Sequence, residues 1–413
     1  MNEQELIPHL FRTEYRKIVS VLCKRFGFEQ IEIAEDIASD TFLTASQSWA
    51  YKGIPPNPVA WLYNVAKNKA KNHLQRNNTF ATKVAPEVID AGYENFQPVE
   101  LDLSAQNITD SQLQMMFAIC NPVIPPEAQI GLSLRILCGF GIDEIAEAFL
   151  TNKETINKRL YRAKERLRDE KIKIEIPAPQ EIDERLETVL TTIYLLFSEG
   201  YYSVSQDQTL RKELCLEAMR LCNMLIENKS TDKPQVNALF ALMCFHSSRF
   251  EARLNKNGEL VLYDEQDISL WNAELISQGG YFLKRAASGE RLSKYHLEAS
   301  IAYWNTQKAD TVEKWENILQ LYNRLLQIQY SPVAALNRTF ALSKANGKEA
   351  AIIEAEKLNL GDNQFYFALL GELYAGIDNE KAIENFKKAF AIAKSNADKQ
   401  AMQKRIDQLK IIC

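Results

Sequence analysis

The stretch Gly139–Arg168, GFGIDEIAEAFLTNKETINKRLYRAKERLR, decides how the chain is read. Ile145, Ala146, Phe149 and Leu150 recur at helical spacing and form one apolar face. Thr151-Asn152-Lys153-Glu154 then has the S/T-x-x-E form of a capping box, which predicts a second helix. Ile156, Leu160 and Ala163 give that helix an inner face. Its remaining surface carries Lys153, Thr155, Asn157, Lys158, Tyr161, Arg162 and Lys164. A short first helix, a tight turn and a basic second helix describe a helix-turn-helix. The second helix would enter a DNA major groove, with side chains at base edges and on phosphates. An amphipathic hairpin with a charged exterior is the plainer account of the same residues. Leu150 stands where many such turns carry Gly.

Working outward, the overall charge argues against a nucleic-acid binder, because 49 Lys and Arg face 54 Asp and Glu for a net −5. The local charge says otherwise. Asn64–Lys83 holds Lys67, Lys69, Lys71, Arg76 and Lys83 with no acid, whereas Val84–Gln114 holds six acids and no base. Lys153–Lys173 is basic again, so two basic segments flank an acidic one. Such stretches often are solvated helix faces, but two of them beside a helix-turn-helix pattern point to phosphate contact.

Apolar residues repeat at three and four along nearly the whole chain, so the fold class is all-α. Only Gly258–Tyr263 (GELVLY) reads as a strand or hairpin arm. Helical patterns run over Leu10–Phe26, Ile33–Trp49 and Pro58–Arg76, the last with Asn57 as its cap and Pro58 in its first turn. The domain division expected is 1–78, an acidic linker at 79–111, a compact helical unit at 112–175, and a helical extension at 176–290 and 291–413. Near the end, AALNRTFA around Asn337 and ALLGELYA around Gly371 lie 34 residues apart, the tetratricopeptide period. An ordinary helical hairpin with a coincidental spacing accounts for the same residues.

At this point the chain resembles bacterial sigma factors of the extracytoplasmic-function type. Gly139–Arg168 is similar to their region four. Ala34–Phe42 (AEDIASDTF) resembles the region-two helix docked on the clamp coiled coil of RNA polymerase, and Asn57–Asn68 (NPVAWLYNVAKN) resembles the promoter-melting helix. Leu196–Tyr201, Asp264–Trp271 and Ser331–Arg338 are similar to the long extension of one subgroup, which includes tetratricopeptide-like repeats. The resemblance implies a region-two bundle, an acidic linker, a region-four domain and a helical extension. It implies RNA polymerase core, through its clamp and flap, and promoter DNA as partners. Helical repeats bind peptides or other protein surfaces, so a regulatory or assembly role is expected for the extension, holding the DNA-binding units inactive or helping them bind polymerase, with a regulatory protein as its partner.

The residues make those roles plausible. Glu35, Asp36 and Asp40 cluster on one helix and would meet a basic groove of the polymerase; an acidic face turned to water is the alternative. Asn64, Asn68 and Asn72 fall four apart, with Lys67, Lys71 and Arg76 beside them for phosphates, and Tyr51 as the exposed aromatic for stacking on unpaired bases. Lys69, Lys71 and Asn72 depart from the pattern of common relatives.

No catalytic or cofactor motif stands out. The four histidines are isolated, and there is no C-x-x-C, G-x-x-x-x-G-K-[ST], G-x-G-x-x-G or G-x-S-x-G sequence. Gly279-Gly280-Tyr281 reads as a helix break, and Asp264–Asp267 as the start of a helix. The expectation is therefore no enzyme, no cofactor and no metal. Seven scattered cysteines, no long apolar run and a polar N-terminus point to a cytoplasmic protein with reduced thiols and no membrane segment. A one-component helix-turn-helix regulator with a helical-repeat sensor is the alternative function.

Overall fold

The repeat of apolar side chains at three and four becomes helix almost throughout. The computed structural model describes residues 3–84, 101–202, 208–253, 261, 263–289, 291–393 and 396–412, and among them there are helices and turns but no strand. Most of the Gly258–Tyr263 stretch read as a strand lies outside the described residues, and Tyr263 itself opens a 3-10 turn. The chain divides into two compact units, Met1–Asp232 and Lys233–Cys413.

In the first unit, α1 (Glu3–Phe26) is the common support. Leu10, Tyr15, Ile18, Val19 and Leu22 are buried along it. Each such side chain removed from water contributes about 1.5–3 kcal/mol. Helices α2 (Ile31–Lys52) and α3 (Pro58–Val84) pack on each other and on α1. α3 starts as its sequence predicts: Asn57 Oδ1 accepts from the Ala60 N–H at 3.0 Å. It continues past Arg76, where the apolar pattern stops, to Val84.

The stretch read as an acidic linker is shorter than 79–111. Helix α4 (Ala105–Ile119) begins inside it, and Leu103 and Ile108 are buried against Val21 of α1. Composition hid this start, because Asp102 and Ser104 work as local caps rather than as linker residues. Asp102 accepts from the Ser104 N–H at 2.8 Å, which holds its carboxyl below the usual range. The remainder of that linker, 85–100, lies outside the described residues.

Helix α5 (Pro126–Leu132) runs into a π-helical turn, Ser133–Leu137, followed by α6 (Ile142–Ala148) and α7 (Lys153–Asp169). Gly139 makes the passage between them possible. Its φ is +77°, and a Cβ there would meet the Arg12 carbonyl oxygen of α1 at 2.8 Å. Helices α8 (Ile182–Tyr202) and α9 (Gln208–Glu227) pair, and α8 lies on α4 and α5. Two guanidiniums of α1 reach α9, Arg12 to Glu213 at 2.7 Å and Arg16 to Glu217 at 2.6 Å.

The second unit begins with α10 (Pro234–Ser247), whose residues from Val236 to Phe245 are buried. Helices α11 (Ala273–Ala286) and α12 (Lys294–Trp304) pack on it. Gly279 sits inside α11 and does not break it: a Cβ there would meet the Phe245 ring at 2.6 Å, so the glycine permits close approach. The rest is a run of helices in which each packs on the next: α13 (Val312–Ile328), α14 (Pro332–Asn346), α15 (Lys348–Leu358), α16 (Gln364–Tyr374), α17 (Asn379–Ile392) and α18 (Asn396–Ile412). Gly371 of α16 faces the Phe386 ring of α17, again at a distance no Cβ tolerates, 2.8 Å.

Cys23, Cys120, Cys138, Cys215, Cys222 and Cys244 are buried and form no disulfide among the described residues. Burial pushes the thiols of Cys120, Cys138 and Cys244 up, to about 11, 12 and 12, so they behave as apolar filling. Among the described residues no helix is long and apolar enough to cross a membrane.

Candidate nucleic-acid interface

The first surface is built on α3. Leu62, Ala66 and Ala70 turn to the core at helical spacing, which sets the opposite side outward. Asn64, Asn68, Lys71, Asn72 and Arg76 are exposed there, and Lys67 is half-buried at the edge. Three amides one turn apart beside two free cations can hydrogen-bond bases and hold phosphates. Tyr63, at the inner edge, donates its hydroxyl to Glu14 at 2.6 Å, and burial together with that carboxylate raises its pKa. Trp61 is half-buried and meets the buried Trp49 edge-on at 5.3 Å, so it braces the helix start. Tyr51, in the last turn of α2, is 91% exposed and available for stacking.

The second surface is built on α6 and α7. The Gly141 N–H donates to Glu144 Oε2 at 2.7 Å and closes a cap at the start of α6. Leu150 takes the left-handed conformation, φ +49°, in the turn, while its side chain is 63% exposed. That is the geometry glycine adopts at least cost, and it explains why Leu150 reads as a departure. The cap of α7 is Asn152, whose Oδ1 accepts from the Thr155 N–H at 2.8 Å, one residue later than the Thr151 capping box predicts. Ile156, Leu160, Ala163 and Leu167 form the buried stripe.

This stripe separates two flanks of α7 that the sequence pattern had merged. On one flank Thr155, Lys158, Arg162 and Arg166 border an open groove of about 470 Å³, floored by Val123 and Ile124. Arg166 is absent from the sequence candidates, although it continues the four-residue series Lys158, Arg162. On the other flank lie Asn157 and Tyr161, both exposed, then Lys164 and Arg168. Glu165 raises the Tyr161 phenol above its usual value. Lys153 is exposed and pairs with Asp143 at 2.5 Å.

Lys164 and Glu35 are not on free surfaces, as expected from sequence, but on each other. Lys164 Nζ binds Glu35 Oε2, and Arg135 Nε stands 3.6 Å from Glu35 Oε1. Arg135 comes from the π-helical turn, and the partners Glu35 and Lys164 are 129 residues apart, so no local pattern shows them. Asp36 and Asp40 do remain exposed, with Asp40 paired to Lys69 of α3 at 3.1 Å. Among the described residues no three His, Cys, Asp or Glu side chains form a metal site.

Comparison with known proteins places the first of these surfaces in a known domain family. Residues 10–80, which contain α2 and most of α3, match sigma-70 region 2. Residues 185–287 match a family of unknown function, DUF6596, whose span crosses from the first unit to the second. An uncharacterised protein of Rhizobium meliloti (strain 1021) is 32% identical over 388 residues, which is 92% of this chain and 91% of its own. No solved structure matches. The chain therefore belongs with that protein to one family, and its residues 10–80 carry a sigma-70 region 2, which supports a sigma-factor-like role in transcription initiation.

Proposed function

We propose that the chain is a dissociable initiation factor of the extracytoplasmic-function type that directs bacterial RNA polymerase core to particular promoters. The observation that carries this reading is the match of residues 10–80 to sigma-70 region 2, on the segment where α3 presents Asn64, Asn68 and Asn72 in one open stripe. In this reading residues 1–78 bind the clamp through Asp36 and Asp40 and hold bases of the melted promoter element along α3. Residues 112–175 serve as region four near the flap, where Lys153, Thr155, Asn157, Lys158, Tyr161 and Arg162 meet the upstream duplex. Extruded bases cost a few kcal/mol each in lost stacking, which exposed amides and Tyr51 would offset. The factor makes and breaks no bond; the polymerase does. It works in the cytoplasm, where that enzyme is.

The extension, 176–290 and 291–413, would be regulatory. The 34-residue spacing of Asn337 and Gly371, with Gly371 packed under Phe386, supports tetratricopeptide-like repeats at its end, and such arrays bind protein surfaces. The helix-turn-helix alone also fits a one-component regulator with a repeat sensor, and polymerase decides between them. The purified chain is mixed with bacterial core polymerase and run on gel filtration, and duplex binding is measured with and without core. Co-elution, with sequence-specific binding that depends on core, is expected. Tight specific binding by a chain that ignores core would favour the one-component regulator.

A further inference from the structure

In the second unit, the passage from α10 to α11 holds an arginine with aromatic neighbours and no acid. Arg249 lies just past the end of α10, and its guanidinium is 5.3 Å from the centre of the Tyr263 ring and 5.9 Å from that of Trp271. Among the described residues no carboxylate pairs with it, and its Nε is buried without a hydrogen-bond partner. Trp271 Nε1 and Gln266 Oε1 are buried and unpartnered as well. The backbone fixes Arg249 and Trp271 beside each other. The Asn272 N–H donates to the Ser248 carbonyl at 2.8 Å, and Asn272 Oδ1 caps α11 by accepting from the Leu275 N–H at 3.0 Å. Arg249 and Trp271 are the chain neighbours of that tie.

Positive charge collects around this pair. Lys314, in the first turn of α13, is 3% exposed, and its Nζ donates to the Tyr263 hydroxyl at 3.1 Å and to the Gln307 carbonyl at 3.0 Å. Both partners are neutral, and the Tyr263 hydroxyl in turn donates to the Asn305 carbonyl at 2.8 Å. Burial, then the charges of Arg249 and Arg253, push the His246 imidazole of α10 down to about 3, so it stays neutral at ordinary pH. Acids in the same segments are engaged elsewhere. Asp267 accepts from the Ser269 N–H and hydroxyl at 2.9 and 2.7 Å, while Asp310 accepts from Trp315 Nε1 and pairs with Lys344 at 3.7 Å. A charge drawn out of water calls for a counter-charge. A guanidinium presents its donors as a planar fork that fits the paired oxygens of a carboxylate or phosphate, and neighbouring rings hold the fork in place.

We propose that Arg249 and Trp271 form a binding site for a small oxyanion, the carboxylate or phosphate group of a soluble molecule. Arg249 takes two oxygens of the group, the Trp271 indole N–H gives a further hydrogen bond, and the buried Lys314 ammonium adds attraction at longer range. Occupancy ties the turn that carries Tyr263 and Trp271 more firmly to the end of α10. The extension thereby gains an input of its own, separate from the faces of α3 and α7. The site does not rest on the initiation-factor reading. Rings that only braced the turn would be blind to anions, and that difference is measurable.

The test uses the full chain labelled with fluorotryptophan, whose five indoles give fluorine resonances, and Trp271→Phe identifies the resonance of Trp271. Chloride is replaced at constant ionic strength by inorganic phosphate in one series and by acetate in another. A saturable shift of the Trp271 resonance is expected in at least one series, and the series that produces it names the group. In Arg249→Gln the apparent affinity should fall about tenfold or more. Arg249→Lys keeps the charge but loses the fork, and should fall by less than Arg249→Gln. Lys158→Ala/Arg162→Ala, on the basic groove of α7, should leave the shift unchanged. The Trp304 resonance, in the same unit, reports whether each variant is folded; should Arg249→Gln unfold, Arg249→Lys decides alone. No saturable shift of Trp271 with either anion, or the same affinity in the folded Arg249 variants as in wild type, would overturn the site.

Discussion

Helices α3 and α7 both carry a polar, basic face in the sequence, but only α3 keeps its stripe free. Its Asn64, Asn68 and Asn72 look outward together, and Lys69 is drawn aside toward Asp40. α7 instead divides: the Lys158–Arg162–Arg166 flank borders an open groove, and the Lys164–Arg168 flank is taken up by Glu35 and Glu32. The difference lies in what stands opposite. Among the described residues no acidic side chain pairs with the Asn64, Asn68 and Asn72 stripe of α3, whereas α7 passes beside the start of α2. Charge on a helix therefore does not name its partner; the angle from the buried stripe and the tertiary neighbour do.

The largest effect that would unbalance the two helices comes from α1, which supports both. Arg16 and Glu217 are a nearly buried pair, and Arg16→Ala leaves Glu217 with Arg220 alone. A loss of about 3 kcal/mol in unfolding free energy of the first unit is expected by denaturant titration. Burial pushes the Glu217 carboxyl up, but Arg220 and Arg16 outweigh it and hold it below its ordinary 4.5. A depressed carboxyl contributes stability that is complete above about pH 4.5 and is lost as pH falls through the folded value. Wild type should thus lose this increment on acidification below that point, while Arg16→Ala should show a shallower acid limb.

Next in size is Lys158→Ala/Arg162→Ala on the open flank of α7. With each contact worth about 1–3 kcal/mol, promoter-specific transcription should fall about a hundredfold or more, and the slope of log affinity against log salt should drop by about two. On α3, Asn68→Ala/Lys71→Ala should lower open-complex formation about tenfold, measured by permanganate reactivity of unpaired thymines, with upstream duplex binding unchanged. If both pairs of substitutions impaired the same step equally, the division of labour between the helices would be wrong.

Much of this arrangement is legible along the chain because helices announce themselves locally. The three- and four-residue spacing marks the all-α fold, Asn57-Pro58 marks the start of α3, and Ile156, Leu160 and Ala163 mark the inner face of α7. The misreadings are also local in cause. Acid-rich composition concealed the start of α4, and Gly279-Gly280 looked like a break because the demand for close approach comes from Phe245, far away in sequence. The pairing of Glu35 with Lys164 and Arg135 is purely tertiary, and its carboxylate looked as free as those of Asp36 and Asp40.

The smallest effect concerns the turn between α6 and α7. Leu150→Gly relieves a left-handed leucine that costs about 1 kcal/mol and gives back part of that as freedom in the unfolded chain. A net gain of about 0.5 kcal/mol in stability is expected by thermal melting, with promoter output unchanged.

The most direct measurement is run-off transcription by bacterial core polymerase, with and without the full-length chain, on duplex templates randomised in the upstream and melted promoter elements. The account predicts transcripts that appear only with the protein, begin at one position and select two separated short sequence motifs. Transcription no greater than that of core alone on every template, from a chain that does not bind core, would contradict it.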